Sequence, residues 1–364
     1  MTRDAAFKRR VRARMARTGE SYSSARAHLD SAGAARPGAD RTGQVLHLTN
    51  GDVTVGLLRE AGLAEPILPW RDVLHDGPVP GGLTDAELRS VRAEFIAGSG
   101  WGSLTAVRDS FDARDEMLAA HSDARLVLWF EADLYDQLQI IQVLDQLRRR
   151  GAEPARISLV SAGEFPGIAH FGGLGQLRPD DLLRLRTDEV VLTTDALDLA
   201  ARAWAAFTAA DPSGLAGVAG SSSPVLRYVA EAFGRLMQEY PARSDGLSLT
   251  QRRILLSVED GANTPSEAFA EVGRRERRPY LGDTSCFAII EGLASARRPL
   301  LTWLDDAPLP SRGLRLTAAG REVLAGHSDH VAEGGIDRWI GGVHLTGSRP
   351  PWRYDERRER LVAA

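Results

Sequence analysis

Residues 125–150 read RLVLWFEADLYDQLQIIQVLDQLRRR, and they decide the fold. The first six, Arg125 to Phe130, are almost entirely apolar, as a strand covered on both faces should be. From Leu134 to Arg150 the pattern changes, and Leu138, Ile141, Leu144 and Leu147 recur at helical spacing. A buried strand running directly into a helix is one half of a β-α-β unit. Working outward, Val45-Leu46-His47-Leu48, Pro66 to Trp70 and Arg156 to Val160 read as further strands, with helices near 54–61, at 84–97 and at 104–120. Strands that alternate with helices imply a parallel sheet with right-handed crossovers. The expected fold class is therefore α/β, a doubly wound, mostly parallel sheet over residues 44–177.

Beyond this domain the grammar changes twice. Residues 178–242 read as helical throughout, a connector punctuated by Asp211-Pro212-Ser213-Gly214 and Gly220-Ser221-Ser222-Ser223-Pro224. Residues 243–345 then give three helix starts, at Leu249, Thr264-Pro265 and Gly282-Asp283. Two strands follow around Asp306 to Pro310, and a last helix begins at Thr317. Three helices, a hairpin and a helix make the order of a winged helix, so a winged-helix-like α+β domain is expected, with 346–364 as a C-terminal tail.

Composition sets the outer limits. The chain has 364 residues, 43% hydrophobic and 26% charged, which excludes collagen-like, disulfide-scaffold and wholly disordered classes. No run of about 18 apolar residues is present, so no membrane partner is expected. The arginine-rich start lacks the apolar stretch of a signal peptide, and the single Cys286 cannot form an internal disulfide, so a reducing cytoplasm is the expected location.

The net charge of −4 conceals an asymmetry. Residues 1–30 hold eight basic side chains against three acidic ones, a net +5, which leaves −9 on the rest. This basic helical head, followed by a Pro/Gly-broken linker at 31–43, is a candidate contact for nucleic acid, as is the C-terminal domain. The acidic body is a poor one.

In open α/β sheets, ligands bind where the carboxyl ends of the strands meet loops and helix N-termini. The residues expected there are unusually polar: Asn50 and Asp52 after the first strand; Arg71, Asp72, His75 and Asp76 after the second; Glu131, Asp133, Tyr135 and Asp136 after the third. Acidic groups at three strand ends, with an imidazole, suit one hard divalent cation that would activate water or hold a phosphate. In this reading His75, Asp72 and Glu131 are the candidate catalytic residues, with His75 as general base or ligand. Asn50, Asp52, Arg71, Asp133, Tyr135, Asp136 and Gln176 contact a small ligand. Capping is the competing explanation for Asn50, Asp52, Asp133 and Asp136, since a side-chain oxygen before a helix satisfies its free amides. It does not explain His75. Gly172-Gly173-Leu174-Gly175-Gln176 reads as a flexible loop that either closes over a pocket or turns the chain. Phosphate-loop, nucleophile-elbow and zinc-finger spacings are all missing.

Three of these segments, His47 to Asp52, Pro69 to Pro78 and Leu128 to Leu138, together resemble a bacterial family known as domain of unknown function 1835. Gly173 to Leu177 looks like the same family, and Gly246 to Gln251 with Leu281-Gly282-Asp283 is similar to the domain commonly attached behind it. The resemblance implies the two-part plan and the choice of polar blocks, and carries no activity. Ala132 stands where many relatives carry a histidine, so a ligand supplied from that position is missing here. The function expected is binding or processing of a small phosphorylated or nucleotide-like ligand, with a divalent metal as candidate cofactor. The alternative is a DNA-binding regulator.

Overall fold

The computed structural model describes residues 44–364; the basic head and the linker lie outside the described residues. A five-stranded sheet has the order β2-β1-β3-β4-β5, where β1 is Val45–Thr49, β2 Ile67–Pro69, β3 Arg125–Glu131, β4 Ile157–Ala162 and β5 Val190–Val191. The first four strands are parallel and β5 is antiparallel to β4. The expected mostly parallel α/β sheet is present, with one strand, β5, from a stretch read as wholly helical. Its two exposed valines pair Ser158 with Val191 and Leu159 with Val190, too short a run to leave a periodicity in the sequence.

Alternation along β3 explains its apolar composition. Leu126, Leu128 and Phe130 enter one core, while Val127 and Trp129 enter another on the opposite face. Helix α1 (Asp52–Glu60) contributes Leu58 to the second core. Helices α2 (Asp85–Gly98), α3 (Leu104–Ala120) and α4 (Leu134–Arg149) contribute Leu88, Leu118 and Leu138 to the first. The helix that leaves β1 and the helix that leaves β3 thus lie on opposite faces. Neighbouring strands whose helices diverge open a crevice at their carboxyl ends, the topological switch point of an open α/β sheet.

Helix α4 is the central strut. Besides its apolar stripe it buries Gln137, Gln139, Gln142 and Gln146, because α6 (Thr194–Thr208) and α8 (Val229–Met237) close over its other side. Buried amides need partners. Gln142 accepts from Trp70 Nε1 at 2.8 Å, and Gln139 Nε2 donates to the Asp72 carbonyl at 2.8 Å. Helix α5 (Pro179–Arg186) packs against α1, and the short α7 (Leu215–Ala219) against α8.

A second unit has its own core. Helices α9 (Leu249–Glu259), α10 (Pro265–Arg275) and α11 (Asp283–Ser295), the hairpin β6 (Leu301–Trp303) with β7 (Leu314–Leu316), and α12 (Ala318–Leu324) surround Ile254, Val272, Ile290 and Leu316. After the short α13 (His330–Gly334) the chain returns to the first core. The hairpin of β8 (Ile336–Ile340) and β9 (Val343–Gly347) places Ile340, Val343 and Leu345 there. The final residues form a second hairpin, β10 (Trp352–Asp355) and β11 (Arg360–Ala363), tied by Tyr354 N to the Pro241 carbonyl at 2.9 Å. Residues read as a tail are thus folded structure. Among the described residues no helix is long and apolar enough to cross a membrane.

Candidate functional site

The crevice between β1 and β3 is built from α4's first turn. Asp133 is its N-cap and accepts from the Asp136 amide at 3.0 Å, as capping requires. Asp136 is fully buried and turned back toward the sheet. It accepts from Asn50 Nδ2 at 2.9 and 3.1 Å and from the Glu131 amide. Asn50 is itself held by Thr54 Oγ1, which donates to Asn50 Oδ1 at 3.2 Å. Asn50, just after β1, is thereby tied to the first turn of α4 and through Asp136 to the end of β3, across the switch point.

Glu131 completes the cluster. Its Oε1 accepts from the Leu174 amide at 2.7 Å. Gly173 presents that amide with φ of 135°, a backbone region that side chains rarely adopt, and a Cβ there would collide with the Glu131 carboxylate. Gln176 holds the same loop by accepting from the Gly172 amide at 2.9 Å. Glu131, Asp133 and Asp136 each bring a carboxylate oxygen within 4.8 Å of the other two, a spacing one hard cation can span. The cleft beside them, about 10 Å³, is lined by Glu131, Asp133, Gly163, Gly173, Arg278 and Pro279. It has room for an ion or a water.

Electrostatics set this cluster apart. Burial and the neighbouring Asp133 push Glu131 up to about 8. Burial pushes Asp133 up to about 6, and burial with Asp133 and Glu131 raises Asp136 well above the usual carboxylate range. No guanidinium counts among the main influences on any of the three. Arg278 lines the cleft but directs Nη1 to the Gly163 carbonyl at 2.6 Å and Nε toward Glu231 at 3.1 Å.

The other expected residues lie elsewhere. Asp52, at the start of α1, pairs with Arg71, whose Nε donates to Oδ2 at 3.1 Å. Asp72 is buried against Arg92, which donates to it through Nε at 3.0 Å and Nη2 at 2.7 Å. Arg92 also donates to the carbonyls of Val73, Asp76 and Pro78, so the pair fixes the loop after β2. The expectation that carboxylates from three strand ends converge is corrected: among the described residues the acidic group comes from the end of β3 and the start of α4, joined by Asn50, which follows β1. His75 is buried, with its ring 5.7 Å from Tyr135 and 5.3 Å from Tyr280. Tyr135 meets that ring edge-on, and burial together with the nearby Asp136 raises its hydroxyl above the usual range.

Sequence reading passed over Arg92, Arg278 and Pro279. Arg278 lies more than a hundred residues along the chain from Glu131, and its only local signal is the Arg277-Arg278-Pro279 break between two helices. Cys286 is buried and its thiol is pushed up to about 12, which makes it a core residue. No protein-family model matches the chain, and no curated protein matches it.

Proposed function

We propose that the crevice between β1 and β3 binds a divalent cation through Glu131, Asp133 and Asp136, and that the cation presents a small phosphorylated or nucleotide-like ligand at the crevice mouth. One observation carries this reading: three mutually close carboxylates, raised in proton affinity and without a guanidinium among their main influences, at the switch point of the sheet. Oxygen-only ligands favour magnesium, manganese or calcium over softer metals. Protons compete for the same oxygens, so cation binding strengthens as pH rises through 8. The resemblance to domain of unknown function 1835 serves here as a working family assignment, carried by the segments that supply Asn50 and Asp136.

The test is a thermal melt of the full chain with Mn²⁺, Mg²⁺ or Ca²⁺ at pH 6 and pH 8.5. The melting temperature should rise with at least one of them, more at the higher pH, and the rise should vanish in Glu131→Gln. No rise in the native protein, or an equal rise in the variant, removes the proposal.

The C-terminal unit supports a second reading, a DNA-binding regulator, because its helices and hairpin follow winged-helix order. Its third helix, α11, weighs against this: it carries Asp283 and Glu291 and no arginine, where groove insertion favours positive charge.

A further inference from the structure

His75 sits where the α/β domain meets the C-terminal unit. Its side chain is 5% exposed, and neither ring nitrogen has a hydrogen-bond partner among the described residues. Buried polar groups are nearly always paired, so a ring buried with both nitrogens free calls for an explanation. The ring stands between Tyr135, in the first turn of α4, and Tyr280, in the loop between α10 and α11. That loop also sends Arg278 to the Gly163 carbonyl, so His75 lies under the segment that docks one unit on the other.

The charged groups facing the ring come from four directions and oppose one another. Asp76 lies beside it, with Oδ2 3.4 Å from Nε2, and Glu239 follows α8; Arg92 comes from α2 and Arg338 from β8. Glu239 is not free to serve as a counter-ion. It already takes Arg235 Nη1 at 2.8 Å, Arg338 Nη2 at 2.7 Å and Thr250 Oγ1 at 2.5 Å. With two acids set against two guanidiniums, desolvation decides, and it favours the uncharged imidazole.

We propose that His75 is a proton-operated latch: the neutral ring lets the loop carrying Arg278 and Tyr280 dock on the α/β domain, and uptake of one proton releases it. The direction of the ring's titration agrees, since burial lowers it from 6.5 with Arg92 and Arg338 assisting and Asp76 and Glu239 opposing. The open form then holds a proton that the docked form lacks. Opening therefore grows as pH falls below 6.5, by at most about tenfold per unit for one proton. The latch needs no cation at the carboxylates, although the loop it releases carries Arg278 and Pro279, which line their cleft.

The experiment is amide hydrogen exchange of the full chain at pH 7.5, 6.5 and 5.5, corrected for intrinsic exchange, in the native protein and in His75→Phe, which keeps an aromatic ring there. Residues 276–282 should exchange up to about tenfold faster per pH unit below 6.5 in the native protein, and by less than twofold in the variant. His47, buried under α1 and also lowered, to about 4, serves as the internal control. Amides around it should respond alike in both proteins. Equal pH dependence at 276–282 in both would overturn the latch. Should His75→Phe fail to fold, histidine-selective NMR of the native chain decides. A His75 resonance, identified by its contact with the Tyr280 ring, that titrates at or above 6.5 would overturn it, as would a low-titrating one with no change at Tyr280; a low-titrating one that tracks Tyr280 would support it.

Discussion

Two of the buried charge clusters among the described residues are built on opposite principles. Around Glu239, where connector, C-terminal unit and β8 meet, every acid has a guanidinium. Arg235 and Arg338 flank Glu239, and Arg235 also donates to Glu276 at 2.7 Å. Burial opposes the Glu239 charge, yet Arg235 and Arg338 hold its carboxyl well below the usual range. At the switch point, Glu131, Asp133 and Asp136 face one another and are raised instead. A balanced cluster fixes the way segments pack. An unbalanced one retains affinity for something positive, a proton or a metal, and that is the property a binding site needs.

The largest loss should follow removal of the centre of the balanced cluster. Glu239→Ala leaves Arg338 without its ion-pair partner and Arg235 with Glu276 alone, and losing one partner of a buried pair costs about 3–5 kcal/mol. Urea unfolding at pH 7 should show a loss of that size. A loss below about 1 kcal/mol would mean that this cluster, too, is not structural.

The unbalanced cluster should respond to pH in the opposite sense. A carboxyl raised on folding stabilises the folded state fully below its unfolded value, and that contribution is lost as pH rises through the folded value. For Glu131 the window runs from 4.5 to about 8. Metal-free protein should therefore lose stability from pH 5 to 8.5, by at most about 1.4 kcal/mol per unit for each proton released. Glu131→Gln keeps an oxygen for the Leu174 amide and carries no charge, so its stability should change less across the same range. Denaturant melts at pH 5, 7 and 8.5 compare the two, and parallel curves would show that the carboxylates are already compensated.

The two clusters also differed in how far the sequence revealed them. The strand-helix run from Arg125 to Arg149 was legible because burial on both faces forces a continuous apolar strand and helical spacing follows at once. Glu131, Asp133 and Asp136 lie in that run, six residues that turn a strand into a helix, so local geometry alone brings them together. Asn50 was legible as the end of a neighbouring strand. Nothing local announced that Arg92 would take Asp72, since both sit in polar surroundings and only the docking of α2 beneath the loop joins them. The Glu239 cluster escaped for the same reason. Arg235, Glu276 and Arg338 are spread over a hundred residues, and long-range ion pairs leave no periodicity. The hairpins β8–β9 and β10–β11 were hidden because short strands that pack on a distant core follow no helical or alternating run long enough to read.

Charge balance should matter least where water reaches the pair. Asp52 and Arg71 form a balanced pair like Glu239 and its arginines, but at the crevice mouth, with side chains 22% and 35% exposed. Water screens such a pair, and exposed pairs contribute about 0–1 kcal/mol. A double-mutant cycle with Asp52→Ala and Arg71→Ala should return a coupling under about 1 kcal/mol that shrinks further in 1 M salt, where the screening length falls to about 3 Å. Loss of ligand affinity without a comparable loss of stability would place Arg71 at the binding site. A coupling as large as that of the Glu239 cluster, unaffected by salt, would instead show that the mouth is as dry as the interior. Charge balance, and not exposure, would then be the property that separates the structural pairs from the site.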